Sequence, residues 1–267
     1  MSAVDDLIEE DGELRAEFAK LPTIQKAVVN WQIKWLQQAH KHQIEPHGDW
    51  WNIWLLMAGR GAGKTRAAAE TLAAWAWEMP ETRWLVSAPT SGDIRGTCFE
   101  GDSGLLEVIP KELVADYNKS LHEIKLVNGS FIKGIPASEP ERFRGGQWHG
   151  AWLDELAAWE YLQDSWDMIQ FAVRLGQKTK IIASTTPKPK PLIMDLLGRE
   201  GDDVTVTRAS TYVNVANLAP SFQKQILQYE GTNLGRQEIH AEIIDPEEGG
   251  IVDRKSTRLN SSHTDIS

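Results

Sequence analysis

Residues 53–65 read Ile53-Trp-Leu-Leu-Met-Ala-Gly-Arg-Gly-Ala-Gly-Lys-Thr65, an apolar run that breaks into a glycine-rich turn closed by lysine and threonine. Six consecutive apolar residues, 53–58, suit a strand buried on both faces. Glycines at Gly59, Gly61 and Gly63 let the backbone turn its N–H groups inward, with Arg60 and Ala62 completing the cradle. Lys64 adds a point charge and Thr65 a hydroxyl suited to Mg²⁺, so the expected ligand is a nucleoside triphosphate, ATP, with its metal. Ala58 stands where the usual G-x-x-x-x-G-K-[ST] pattern has its first glycine, which leaves the match one residue short. An Ala-rich run from Thr65 to Met79, stopped by Pro80, predicts a helix that aims its N-terminus at the anion. The bland alternative is a glycine-rich turn that binds nothing.

Outward from this stretch, apolar and helical segments alternate. Strands are expected at 53–58, 83–88, 149–154, 179–184 and 203–209, and helices at 65–79, near 91–98, at 159–174, near 190–198 and at 219–241. Such alternation predicts an α/β fold with a mostly parallel central sheet covered by helices on both faces. Asn128-Gly129, flanked by Ile124–Val127 and Ser130–Ile132, interrupts it with a hairpin signal, so a β-hairpin insertion is expected within 115–134. Before the first strand, residues 5–42 read as two helices parted near Leu21-Pro22, the second placing Val28, Trp31, Trp35 and Leu36 on one core-facing side.

The chain has 267 residues and a formal net charge of −10, which argues against holding nucleic acid by bulk electrostatics and requires any DNA contact to be local. A single cysteine, Cys98, excludes an internal disulfide framework and, with no export signal, points to a reducing compartment. No apolar run is long enough to span a bilayer, so a soluble protein without a membrane partner is expected. His40, His42 and His47 lack metal-ligand spacing and read as loop histidines. The polar, aperiodic stretch 254–267 reads as non-native vector-derived sequence; without it the remainder is more acidic still.

Ninety residues after Lys64, the apolar stretch Ala151-Trp-Leu153 ends in Asp154-Glu155. Asp154 suits Mg²⁺ coordination and Glu155 suits activation of the attacking water, although taken alone the pair also reads as an acidic cap on the next helix. A third apolar strand ends in Ser184-Thr185-Thr186-Pro187, where hydroxyls can sense a γ-phosphate or simply form a turn. Lys188 and Lys190, interleaved with prolines, form a stiff basic loop suited to a polyanion or to solvent. Arg60, Arg142 and Arg144 are candidates for neutralising transition-state charge, or surface partners of nearby acids.

Gly59–Thr65, Glu139-Pro-Glu-Arg-Phe-Arg-Gly145, Leu153-Asp-Glu-Leu-Ala-Ala-Trp159, Thr185-Thr-Pro187 and Tyr229–Glu238 together resemble the large terminase subunit of tailed bacteriophages, from about Gln43 to about Asp245. The resemblance implies a P-loop NTPase fold of the additional-strand, catalytic-glutamate type. It also implies an ATPase that, as a homo-oligomeric ring on the portal protein, pumps double-stranded DNA into a procapsid, with a small subunit that recognises the genome. By the same resemblance Arg60 acts in cis, Arg144 reaches a neighbouring subunit, and Gln43 reads adenine, with Gln32 competing for that last role. The expected location is the cytoplasm of an infected or lysogenic host, outside the mature virion.

The implied organisation is a helical segment at 1–42, an ATPase domain at 43–245, a linker at 246–253 and the foreign tail. Family members continue into a nuclease domain; Asp245, Glu247 and Glu248 read as linker, so no DNA cleavage is expected of this chain. A helicase-like remodelling ATPase is the alternative, since strand-terminal Asp-Glu is shared by both classes. That class needs a second motor domain, which is not visible after residue 245. A nucleotide kinase lacks its arginine-rich lid here, and a catalytically dead docking module is at odds with Lys64, Asp154 and Glu155.

Overall fold

The computed structural model describes residues 12–244. The linker acids Asp245, Glu247 and Glu248 and the tail 254–267 lie outside that range.

Eight strands form one sheet: β1 (Ile53–Ala58), β2 (Arg83–Ser87), β3 (Val114–Asn118), β4 (Glu123–Leu126), β5 (Phe131–Gly134), β6 (Gly150–Leu153), β7 (Lys180–Thr185) and β8 (Val204–Ala209). Their order is β3-β4-β5-β2-β6-β7-β1-β8. From β5 to β8 every neighbouring pair runs parallel, whereas β3, β4 and β5 form an antiparallel meander. One strand, β7, separates the strand that feeds the glycine-rich turn from the strand that ends in the tandem acids. This is the order of an additional-strand P-loop NTPase. At about 4.8 Å per strand, the turn and the acids are set roughly 10 Å apart across the sheet, a gap that can admit a phosphate chain.

Among the described residues, seven α-helices of six or more residues accompany the sheet: α1 (Gly12–Lys20), α2 (Thr23–Gln38), α3 (Lys64–Glu78), α4 (Leu162–Ala172), α5 (Pro191–Gly198), α6 (Pro220–Leu227) and α7 (Asn233–Glu238). Because successive side chains of a strand face opposite ways, each central strand feeds two cores. Trp54, Leu56, Trp84, Val86, Trp152 and Ile182 point to one face and pack with α3 and with Trp31 of α2. Ile53, Leu55, Met57, Leu85, Leu153 and Ala183 point to the other and meet Ile169 of α4 and Ile193 and Leu196 of α5. On the first face α3 offers mainly alanine, Ala67, Ala68, Ala69, Ala73 and Ala76, and the large indoles fill the space that these small side chains leave. The α2 helix is fastened to α3 by a buried polar link: Trp31 Nε1 donates to Glu70 Oε2 at 2.6 Å, and Arg66 pairs with the same carboxylate at 2.6 Å.

Several expectations are corrected. Leu36 is 65% exposed, so the core side of α2 is carried by Trp31 with Val28 beside it. The long helix expected at 219–241 is two short ones, broken at Gly231, which takes φ +75°. The region near 91–98 is a single turn, Ser91–Asp93, opened by a Thr90–Asp93 capping box and passing into a π-helix, Ile94–Phe99. The Asn128-Gly129 turn joins β4 to β5, and Asn128 Nδ2 donates to the Ala76 and Trp77 carbonyls at 2.9 Å, capping the end of α3. At the outer edge, β3 pairs only with β4, and its register shifts between Val114 and Asp116.

Candidate nucleotide site

The glycine-rich turn follows β1 directly. Gly61 and Gly63 hold φ of +76° and +85°, a conformation that demands glycine, and a side chain at Gly63 would stand 2.3 Å from Gln43 Nε2 and displace that amide. Helix α3 starts at Lys64 with no side-chain cap on its amides. Among the described residues, the amides of Gly61, Gly63, Lys64 and Thr65 have no backbone partner. They form an anion cradle at a helix N-terminus.

Two strands away, β6 delivers Asp154 and Glu155 to the same end of the sheet. Asp154 is 4% exposed and accepts a hydrogen bond from Ser184 Oγ at 2.8 Å. Burial raises its carboxyl pKa to about 6, against the opposing pull of the Ser184 hydrogen bond. Glu155 takes a left-handed backbone conformation, φ +48° and ψ +49°, uncommon for a side chain other than glycine. This turn brings Glu155 Oε1 to 3.4 Å from Lys64 Nζ. Glu155 Oε2 accepts from Thr186 N at 3.2 Å and Thr186 Oγ1 at 3.3 Å. Lys64 is itself buried and also donates to the Ala58 carbonyl at 2.9 Å.

The end of β7 lies between these two groups and touches both. Ser184 holds Asp154, Thr186 holds Glu155, and Thr185 Oγ1 accepts from Ala157 N at 3.1 Å, just past the acids. The lysine, the tandem acids and the three hydroxyls therefore meet beyond the carboxyl ends of parallel strands, where open α/β sheets bind ligands. Lys64, Asp154, Glu155 and Thr186 line a cavity of about 750 Å³ together with Arg60, Thr65, Asp93 and Lys188, whereas Ser184 and Thr185 are fully buried and do not line it.

A family pattern described as the N-terminal region of the T4-like-virus type of terminase large subunit matches residues 55–257. The chain belongs to this family. Membership favours the DNA-packaging motor over the helicase alternative. The fold of this terminase chain is similar to the large terminase ATPase domain of Thermus phage P74-26, at 16% identity and a TM-score of 0.56, over 78% of this chain and 94% of that one. It is also similar to the large terminase of the thermophilic bacteriophage D6E in complex with ADP, at 14% identity and a TM-score of 0.61, over 83% of this chain and 53% of that one. The large terminase of bacteriophage HK97 matches at 14% identity and a TM-score of 0.55, over 72% and 47%. The chain thus spans about half the length of the D6E and HK97 proteins it matches.

Not every residue singled out from the terminase sequence reaches the cavity. Arg60 stands at its rim, with its side chain 74% exposed and Nε 3.7 Å from Glu238. Arg142 and Arg144 lie outside it on an exposed turn, paired with Glu139 at 3.3 Å and Glu141 at 2.9 Å. Gln32 is exposed on α2, whereas Gln43 is buried against the loop and gives its amide to the Gly63 carbonyl at 3.0 Å. Lys190 precedes α5 and does not line the cavity.

Other lining residues escaped sequence reasoning. Thr97 comes from the π-helix, Asp93 from the turn before it, Asp102 and Ser103 from the turn after it, and Asn214 and Glu238 from the segment after β8. The capping-box spacing of Thr90 and Asp93 was the one available signal for the segment 93–103.

Proposed function

We propose that the chain is the ATP-hydrolysing motor domain of a terminase large subunit and that MgATP reacts between Lys64 and Glu155 to drive double-stranded DNA into a procapsid. The observation that carries this reading is the 3.4 Å approach of Lys64 Nζ to Glu155 Oε1, since residues 91 positions apart in sequence meet at the open amides of the loop. Those amides and Lys64 bind the β- and γ-phosphates. An arriving triphosphate competes with Glu155 for the lysine and leaves the carboxylate free. Glu155 then orients a water and takes its proton as the water oxygen bonds to the γ-phosphorus; the bond to the bridging oxygen breaks and its electron pair leaves with ADP.

Mg²⁺ fits the groups present. Asp154 offers a buried carboxylate and Thr65 a hydroxyl on the same cavity. Among the described residues no group of three histidine, cysteine or carboxylate side chains could hold an ion unaided, which suits a metal that arrives bound to phosphates. When bound, the ion neutralises charge on the β- and γ-oxygens. Asp154 must be ionised to hold it, yet burial keeps its pKa near about 6 in the free protein. MgATP affinity should therefore fall as pH drops through 6, and binding near that pH should release a proton. Calorimetry in two buffers of different ionisation enthalpy reads the proton directly; zero release at pH 6 contradicts Asp154 as a metal ligand.

Thr186, bonded to Glu155 from the end of β7, is suited to report loss of the γ-phosphate to the sheet, with Ser184 and Thr185 beside it. Arg60, at the cavity rim, acts in cis. Arg144, on its exposed turn, serves a neighbouring copy in a ring seated on the portal protein, with the small subunit supplying genome recognition in the host cytoplasm. No helix among the described residues is long and apolar enough to cross a membrane.

If Arg144 works in trans, ATPase activity per molecule should rise with protein concentration, and more steeply with DNA present. A rate per molecule constant from nanomolar to tens of micromolar would remove the trans role.

A further inference from the structure

Four consecutive carbonyls of the phosphate loop, those of residues 60–63, each accept a hydrogen bond from a side chain outside the loop. Thr211 Oγ1 donates to Arg60 O at 2.8 Å, and Asn214 Nδ2 donates to Gly61 O at 2.7 Å. His42 Nε2 donates to Ala62 O at 2.8 Å, and Gln43 Nε2 donates to Gly63 O at 3.0 Å. A carbonyl can only accept, so His42 must carry its proton on Nε2. The donors come from opposite ends of the domain, two ahead of β1 and two after β8, and His40 ties the pairs together. Its amide donates to Gln43 Oε1 at 2.9 Å and its ring Nε2 to Asn214 Oδ1 at 3.0 Å, while its ring stacks on that of His42 with centroids 5.7 Å apart.

The geometry matters because each peptide unit of a tight loop carries its carbonyl opposite its amide. Fixing the carbonyls of residues 60–63 outward also fixes the following amides, and those of Gly61, Gly63 and Lys64 are without backbone partners among the described residues. A loop held in this way loses little further freedom when phosphate binds.

We propose that Gln43, His42, Asn214 and Thr211 are positioning residues, an outer clamp that holds the loop carbonyls away from the cavity so that the amides are set for the phosphate chain. The proposal rests on the reading that this loop binds the triphosphate. It gives Gln43 a role toward phosphate rather than adenine, and it joins the segment after β8 to the nucleotide through Asn214. The clamp acts on phosphates alone, so its loss should weaken every ligand with that chain, whatever base it carries.

The test uses Asn214→Leu, which keeps the size of a half-exposed side chain, adds no charge beside the phosphates and cannot donate, and His42→Gln against His42→Ala, since glutamine restores a donor. Affinities for ATP, GTP and inorganic tripolyphosphate, each with Mg²⁺, are measured by calorimetry, with melting temperature as a control on folding. Expected is a loss of about tenfold for all three ligands in Asn214→Leu and His42→Ala, from one lost hydrogen bond and a less ordered loop. His42→Gln should recover most of it, and KM for ATP should rise while kcat stays within about twofold, because the amides hold ground state and transition state alike. Affinities within twofold of wild type in both donor-less variants, or a loss confined to ATP with tripolyphosphate unaffected, would overturn the clamp. Absence of binding in the wild-type chain would instead overturn the nucleotide-site reading on which it rests.

Discussion

Glu155→Gln is expected to bind ATP about as tightly as wild type and to hydrolyse it at least 100-fold more slowly, the range in which loss of a positioned base falls. The amide keeps the length and shape of the carboxylate and can still accept from Thr186, so the turn after β6 has no reason to move. What it loses is the ability to take the proton of water. It also loses the ion pair with Lys64, which frees the lysine for phosphate and leaves binding intact or slightly stronger. Single-turnover hydrolysis, with affinity from a non-hydrolysable analogue, separates the two effects. A rate within fivefold of wild type would assign the base elsewhere among the carboxylates that line the cavity, such as Asp154.

Lys64→Ala should abolish useful nucleotide binding, with affinity reduced roughly 100-fold, because the ammonium supplies charge-assisted hydrogen bonds in a nearly dry setting. The same change strips a donor from the Ala58 carbonyl at the end of β1, for which a destabilisation of about 1 kcal/mol is expected. Calorimetry with the analogue and a thermal melt distinguish these contributions. A variant that binds normally would mean that the loop amides alone suffice and that Lys64 serves the Glu155 turn instead.

That these two residues would meet at one cavity was legible because their sequence patterns are local. A strand, three glycines and a lysine form a contiguous pattern, and the acids follow an apolar strand of their own. Strand positions were equally readable, since parallel strands buried on both faces stand out as apolar runs. The segment 93–103 at the cavity was not, because a π-helix leaves no separate periodicity in six residues, and its lining residue Thr97, like Asp102 in the turn that follows, is an ordinary loop residue by type. Asn214 offers no signal at all: its role depends on the segment after β8 returning to a loop 153 positions earlier. Leu36 was misread for the opposite reason, its spacing being helical but its helix burying a narrower stripe than the pattern allowed. The single helix expected over 219–241 failed at Gly231, whose positive φ ends one helix before Thr232 caps the next.

The strand at the meander's margin limits how copies of this molecule can meet. Val114–Asn118 is five residues long, loses register midway and displays Asp116 and Asn118 to solvent, three devices that discourage backbone pairing with a stranger. Crowding many subunits together should therefore neither seed cross-β fibres from this margin nor stitch neighbours into a shared sheet. A contact between copies made at this margin would therefore rest on side chains and could be made and broken without unzipping the fold.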